Sequence, residues 1–143
     1  LRAKLRDELQ GGDSARARMA AEALGELRDT TSVPSLIELL SSDDPALLDA
    51  AGRALQTITR QDFGGSRFRW NGWWRRHQTE SRLQWLLSGL CHESALIRSS
   101  TQEELTGMSG DVTGYRFDQP RRERDLAAER WVGWWQRRGY AVL

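Results

Sequence analysis

The chain is poor in residues that cross-link a protein or interrupt a helix. Its one cysteine, Cys91, excludes an internal disulfide, and only 3 prolines occur in 143 residues. No apolar run is long enough to span a membrane, and no signal peptide is visible. These absences favour a cytoplasmic location. Because the chain begins at Leu1 rather than at a methionine, we expect it to be a fragment of a larger protein.

Strong net charge and catalytic motifs are also missing. The formal net charge is +1, which argues against a dedicated polyanion binder. The Gly64-Gly65 pair lacks the lysine of a phosphate-binding loop, and no nucleophile-elbow motif occurs. Cys91 and His92 are adjacent, so their side chains would diverge on a helix rather than share a metal. We therefore expect no enzymatic activity, no cofactor and no metal site.

A set of apolar positions recurs three times in one register. The second set begins 31 residues after the first, and the third begins 50 residues after the second. The three sets are Leu5, Leu9, Leu24 and Leu27; Leu36, Leu40, Leu55 and Ile58; and Leu86, Leu90, Leu105 and Met108. A period of this size is typical of stacked helical hairpins, each of which needs a neighbour to bury its apolar face. The sequence thus predicts an all-α fold, a short α-solenoid in a single domain over residues 1–143.

Helix-start and helix-stop signals divide this pattern into three hairpins, at about residues 1–28, 33–59 and 80–108. Asp13, Asp44 and Ser94 keep the register of the repeat, and each can cap the second helix of its hairpin by accepting a free backbone N–H. Pro45 supplies a preset φ at the first helical position. The pair Gly11-Gly12 predicts the break between the first two helices.

Tryptophan follows a second repeated pattern. Three tryptophans recur 61 residues apart, as Trp70, Trp73 and Trp74 and then as Trp131, Trp134 and Trp135. Their spacing predicts helices at about 66–77 and 119–138, the first capped by Ser66 and the second started by Asp118 with Pro120. We expect all six indoles to be structural and Leu126 to share the buried side. Because glycine inside a helix is unfavourable, Gly72 and Gly133 predict close backbone approach or a local kink.

Two segments resemble a known repeat family. Residues 20–29, Ala-Ala-Glu-Ala-Leu-Gly-Glu-Leu-Arg-Asp, resemble the second helix of a bacterial HEAT-like repeat. Residues 33–40, Val-Pro-Ser-Leu-Ile-Glu-Leu-Leu, resemble the first helix of the next unit, which residues 44–59 complete. The family includes the repeat type first described in phycobilisome bilin lyases, but no pigment-handling constellation is present here. The resemblance implies an α-solenoid that acts as a non-catalytic protein-interaction or scaffold module.

A partner protein is expected on the face formed by the second helices of the hairpins. In stacked hairpins these helices usually line the concave side, and the residues opposite their buried stripes point outward. The candidate residues are Arg18, Glu22, Asp49, Arg53, Gln56, Ser99 and Glu103. Because this surface mixes both signs of charge, it fits a polar protein better than a phosphate backbone.

The alternative function is a nucleic-acid-binding helical repeat. Residues 66–77 contain Arg67, Arg69, Arg75 and Arg76 and no acidic residue. Arginines interleaved with tryptophans can contact phosphates and stack on bases. Nucleic acid is the less favoured partner because the net charge is close to zero and the second tryptophan helix carries acidic residues.

The register makes Leu55 a core residue. Replacing it in Leu55→Ala should lower the free energy of unfolding by about 2–5 kcal/mol, because the change removes buried methyl groups and leaves a cavity. Denaturant unfolding followed by circular dichroism measures this loss. A loss below about 1 kcal/mol would contradict the register.

Overall fold

The computed structural model describes residues 1–11 and 13–139. Over those residues the chain forms eight α-helices, two short 3₁₀ turns and no strand, which confirms the all-α prediction. The helices are α1 (Arg2–Gly11), α2 (Ser14–Glu26), α3 (Val33–Glu38), α4 (Pro45–Thr59), α5 (Arg67–His77), α6 (Arg82–Gly89), α7 (Ala95–Ser109) and α8 (Arg121–Gln136). Gly12, half of the predicted break between α1 and α2, lies outside the described residues.

The chain divides into two compact units. The first unit, Leu1–Thr79, contains α1 to α5, and the second unit begins at Glu80 and contains α6 to α8. The three predicted hairpins correspond to α1–α2, α3–α4 and α6–α7, and the predicted tryptophan helices are α5 and α8. The single domain expected over residues 1–143 stays a prediction.

In the first unit the hairpins form two layers of helices. The first helices, α1 and α3, pack against each other, and the second helices, α2 and α4, pack against each other. Leu24, Leu36, Leu55 and Ile58 are completely buried between these layers. Leu9 and Leu40 are buried as well, whereas Leu5 and Leu27 are half-buried, so six of the eight repeated positions form the core that their register predicts.

Side-chain caps start four helices where the sequence predicts them. The carboxylates of Asp13 and Asp44 accept backbone N–H groups at the starts of α2 and α4. The hydroxyls of Ser66 and Ser94 do the same for α5 and α7. These bonds satisfy amide groups that have no acceptor within their own helix.

The starts of α6 and α8 differ from prediction. Ser81 and Gln84 form a reciprocal capping box at α6, which the sequence analysis missed. Pro120 occupies the cap position of α8 and makes no side-chain cap bond. Of the predicted start, Asp118 with Pro120, the proline lies immediately before the first helical residue, Arg121, whereas Asp118 is not the cap.

α2 and α4 come close together because small residues meet between them. A Cβ atom built on Gly25 would lie 3.0 Å from the Cα of Ala54 and 3.1 Å from its Cβ. Ala50, one turn before Ala54, is buried at the same interface side of α4. The helix backbones can approach this closely only while position 25 has no side chain.

Asp29 ties α1 to the end of α2. Its buried carboxylate accepts hydrogen bonds from Arg6 Nη2 at 2.6 Å and Arg6 Nε at 2.8 Å, and from Arg2 Nη1 at 3.1 Å. The Arg6 hydrogen bonds, followed by those of Arg2, hold the pKa of Asp29 below its usual range although burial opposes them. These contacts anchor α1, in which Leu9 is the one buried residue.

In the second unit, leucines of the hairpin pack with aromatic side chains. Leu86, Leu90 and Leu105 form one buried cluster with Tyr115 and Trp131. The Tyr115 hydroxyl donates a hydrogen bond to the carbonyl oxygen of Leu90, and burial raises the pKa of Tyr115 to about 12. The phenol therefore stays protonated and keeps its donor over the physiological pH range.

Two residues predicted for this core lie at the surface instead. Met108 is 52% exposed, because the buried face of α7 continues from Leu105 to Ser109, which accepts the indole N–H of Trp131. Leu126 is 46% exposed, because α8 turns its alanines and tryptophans inward. In both helices the apolar spacing is compatible with more than one buried side, and contacts with distant residues select it.

Each tryptophan helix packs on an aromatic residue of the loop before it. Trp70 meets Phe63 edge-on with ring centroids 4.9 Å apart, and its indole N–H donates to the carbonyl oxygen of Gly64 at 2.9 Å. Trp131 lies 6.1 Å from Tyr115 between ring centroids. Both tryptophan helices thus contact an aromatic residue of the preceding loop, with a different ring geometry in each.

The helix glycines beside the tryptophans do not mark a close backbone approach. A Cβ on Gly72 would lie 3.6 Å from Nη1 of Arg76, and a Cβ on Gly133 would lie 3.3 Å from Nη1 of Arg137. In both helices the nearest atom is the mobile end of an arginine one turn later. The predicted close backbone approach is wrong at both glycines, and the alternative, a local kink, stays a prediction.

The two kinds of helix glycine should respond oppositely to alanine. Gly25→Ala should destabilise the protein by about 1–2 kcal/mol, because the new methyl group would press on the Ala54 backbone. Gly72→Ala should be neutral or stabilise by up to about 1 kcal/mol, because it improves helix propensity without meeting backbone. Thermal melts of both variants measure the difference, and equal shifts would contradict the close packing of α2 on α4.

The Asp29 ion pairs should make stability depend on acid pH. Because folding lowers the pKa of Asp29, its contribution is present at neutral pH and is lost as the pH falls below about 4. Asp29→Asn should lower the free energy of unfolding by about 1–3 kcal/mol at pH 7. It should also reduce the fall in stability below about pH 4. Urea unfolding at a series of pH values measures both effects. Asp7→Asn, at an exposed position, is the control. If Asp29→Asn lost stability in acid as steeply as the wild type does, the role given to the Asp29 ion pairs would be contradicted.

Candidate functional site

A groove runs along the surface of the first unit between α2 and α4. Arg18 and Glu22 of α2 line it together with Asp49 and Arg53 of α4, around a space of about 450 Å³. The sequence predicted these four residues on one outward face. The structure brings them together because α2 and α4 lie side by side in the second-helix layer.

Small residues form the floor of this groove. Gly25, Ala50 and Ala54 line it, and all three are buried. Larger side chains at these positions would fill the space between the two helices. The sequence analysis did not assign them to the site, although the concentration of alanine and glycine on the facing sides of both helices was a signal for it.

The rim of the groove carries both signs of charge in equal number. The charged lining residues are Arg18, Arg28 and Arg53 and Glu22, Glu26 and Asp49. Arg53 Nε lies 3.0 Å from the Asp49 carboxylate, but their side chains are 79% and 62% exposed. Such an exposed pair one helical turn apart contributes only about 0.3–0.5 kcal/mol, so an incoming charged group can exchange with either member. Glu26 and Arg28 were missed, although Glu26 lies one turn beyond Glu22.

Asp44 fixes one end of the groove. Its carboxylate caps α4 through the Ala46 N–H at 3.0 Å and also accepts a hydrogen bond from the Ser14 hydroxyl at the start of α2. The Ser14 hydrogen bond, followed by the backbone bond of Ala46, lowers the pKa of Asp44. The starts of the two helices that wall the groove are thereby held together.

Gln56 belongs to a second groove on the other side of α4. It lines a space of about 450 Å³ with Leu48 and with Asp62 of the loop before α5. Asp49 and Arg53 line both spaces, so their ion pair stands on a ridge between the two grooves.

Ser99 and Glu103, the other two predicted contact residues, lie one turn apart on α7 of the second unit. Glu103 is exposed and Ser99 is half-buried. They line neither groove of the first unit.

The tryptophans are mostly withdrawn from the surface. Trp70, Trp73, Trp131 and Trp135 are buried, and Trp74 and Trp134 are half-buried. The guanidinium of Arg138 covers the ring of Trp134 at 3.5 Å from its centroid. His77 stacks on Trp73 with ring centroids 5.0 Å apart.

Reactive groups are few in the described part of the chain. Desolvation, followed by the nearby Asp125, raises the pKa of the Cys91 thiol, which is the opposite of thiolate activation. His92 Nδ1 accepts the Ser94 N–H at 2.9 Å and so serves the start of α7. Residues 1–11 and 13–139 hold no group of three or more His, Cys, Asp or Glu side chains able to bind a metal. None of the helices in those ranges is long and apolar enough to cross a membrane.

The model of the HEAT repeat family matches residues 2–64, which span α1 to α4 and most of the loop before α5. No curated protein and no solved structure gives a significant match. HEAT repeats generally mediate protein–protein interaction or scaffolding and are typically non-catalytic. Two layers of paired helices, a repeated leucine register and the family match all agree over this segment. Residues 2–64 of the chain are therefore HEAT-like repeats.

Proposed function

We propose that this chain is a non-catalytic interaction or scaffold module whose α2–α4 groove receives a segment of a partner protein. The observation that carries the proposal is the groove itself, with a floor of small apolar residues and a rim of balanced charge. Ser99 and Glu103 of the second unit remain candidate contacts in addition to it.

The lining of the groove suits a polypeptide. Gly25, Ala50 and Ala54 give an apolar floor on which an aliphatic side chain of the partner can lose its hydration. The rim offers three cationic and three anionic side chains, so it can orient a segment that carries both signs of charge. Since a phosphate backbone would meet as many carboxylates as guanidinium groups, the groove does not favour nucleic acid.

The alternative, nucleic-acid binding by the arginine–tryptophan helix α5, loses two of the three tryptophans that were expected to stack on bases. Trp70 is completely buried and Trp73 is 5% exposed, so neither indole can stack on a base without opening the core. Arg67 pairs with Glu38 at 2.6 Å, which neutralises one of the four charges of this helix. We therefore rank a protein partner above a nucleic acid.

Charge reversal in the groove should abolish partner binding. We expect Glu22→Arg with Asp49→Arg to reduce recovery of proteins that co-purify with the wild-type chain from its native cells by about tenfold or more, the size of a hot-spot loss. Quantitative mass spectrometry of tagged wild-type and variant chains measures the recovery. The matched control is Asp7→Arg with Asp43→Arg, which makes the same change of net charge at exposed positions outside the groove.

The outcome separates the groove from the alternative. Equal recovery with both double variants, or equal loss with both, would exclude the α2–α4 groove as the binding surface. Binding of single-stranded DNA that weakens steeply between about 50 and 200 mM salt would favour the nucleic-acid function instead.

A further inference from the structure

α5 presents a second, chemically distinct surface on the side opposite its tryptophans. At about 100° per residue, Phe68, Gly72, Arg75 and Arg76 fall on one side of this helix and the buried indoles on the other. We call these four residues the outer face of α5. Phe68, Arg75 and Arg76 are exposed, whereas Gly72 is half-buried.

The apolar end of the outer face is Phe68. Its side chain is 83% exposed, the largest exposure of any aromatic residue in the described chain. Covering a phenyl ring of this kind removes apolar surface from water and so favours binding. Phe68 lies in the first turn of α5, where the ring projects beyond the packed side of the helix.

The cationic end of the outer face is the pair Arg75 and Arg76, in the last turn of α5. α5 contains no acidic residue. The other two arginines of the helix are engaged elsewhere, since Arg67 pairs with Glu38 and Arg69 lies over the ring of Phe63 at 5.1 Å. Arg69 keeps its charge in that ring contact, whereas Arg75 and Arg76 place two adjacent positive charges about two turns from Phe68.

Gly72 connects the two ends. Nη1 of Arg76 would lie 3.6 Å from a Cβ at this position, so the guanidinium folds back along the helix toward Phe68. A larger residue at position 72 would separate the ring from the arginines. The glycine leaves a continuous strip, apolar at one end and cationic at the other, about 10–12 Å long by the rise of a helix.

We propose that the outer face of α5 binds a short acidic segment of a partner protein. One apolar side chain of the segment covers Phe68, and two neighbouring carboxylates pair with Arg75 and Arg76. An extended segment rises about 3.3 Å per residue, so the apolar residue and the acidic pair stand three or four positions apart. Arginine suits this role because its planar fork binds a carboxylate through two parallel hydrogen bonds.

The same features disfavour a nucleic acid or a membrane at this face. Two guanidinium groups and one ring are few for a polyanion, whose affinity comes from several phosphate contacts. The exposed carboxylate of Asp62 lies in the loop before α5 and would repel a phosphate backbone that continues past the N-terminal end of this helix. A single exposed phenylalanine also falls short of the broad apolar face of a membrane-surface helix.

Synthetic peptides test the proposal directly. The probe is a fluorescein-labelled peptide Ser-Gly-Leu-Ser-Gly-Glu-Glu-Gly, and the two reference peptides replace its leucine by serine or its glutamates by lysines. We expect fluorescence anisotropy to detect binding of the first peptide only. Amide resonances of residues 68–76 should shift in ¹⁵N-labelled protein on titration with it.

Matched variants locate the site. Arg75→Gln with Arg76→Gln, and separately Phe68→Ser, should weaken peptide binding by about tenfold or more. Arg121→Gln with Arg122→Gln makes the same change of net charge on α8 and should leave the affinity within about twofold. Circular dichroism melts establish that each variant is folded at the assay temperature. If a variant is not folded, the amide-resonance titration of the wild-type protein by itself tests whether the peptide binds at residues 68–76.

Other outcomes overturn the proposal. These are no peptide binding at millimolar concentration, shifts outside residues 68–76, or equal weakening by the α8 control. Tighter binding of an oligothymidine or of phosphatidylserine vesicles through the same residues would assign the face to nucleic acid or to membrane instead. Because the α2–α4 groove variants leave this face unchanged, failure of either proposal does not affect the other.

Discussion

The close contact between Gly25 and Ala54 is the constraint on which the surface of the first unit depends. It lets α2 and α4 approach so closely that a Cβ atom at position 25 would lie 3.0 Å from the Cα of Ala54. Helices that touch through small residues leave little side-chain volume above the contact, so the charged residues one turn away stand over an open floor. The leucine core beneath and the groove above are thus two sides of one interface, because the same alanines and glycine bound both.

In both units a pair of aromatic residues closes one end of the hydrophobic core. A loop aromatic residue, Phe63 in the first unit and Tyr115 in the second, receives a tryptophan of the helix that follows. The indole N–H of Trp70 and of Trp131 then finds an oxygen acceptor, so a large apolar surface is buried without an unpaired donor. Since most of these indoles are buried, the side of each tryptophan helix that other molecules can contact is mainly the opposite one. In α5 that side is apolar at one end and cationic at the other.

Much of this architecture could be predicted from the sequence because it is local. Caps at Asp13 and Asp44 follow from side-chain chemistry within one turn, and the burial of Leu55 follows from the helical period. The predictions failed where a contact with a residue distant in sequence determines which side chain is buried. Met108 lost its place in the core to Ser109, which bonds an indole 22 positions away, and the anchoring of α1 by Asp29 joins residues more than 20 positions apart.

The amino-acid sequence by itself determined the helical class, the hairpin register and the outward placing of Arg18, Glu22, Asp49 and Arg53, because a helix turns by a constant angle per residue. It also determined that tryptophan would line one side of α5 and α8. Only the tertiary structure decided that the four charged residues share a groove, that Gly25 rather than Gly72 meets a neighbouring backbone, and that Phe68 stays exposed. The physical reason is that these three features depend on the distance between helices. Side-chain volumes at the contact set that distance, and the periodicity of the sequence does not encode it.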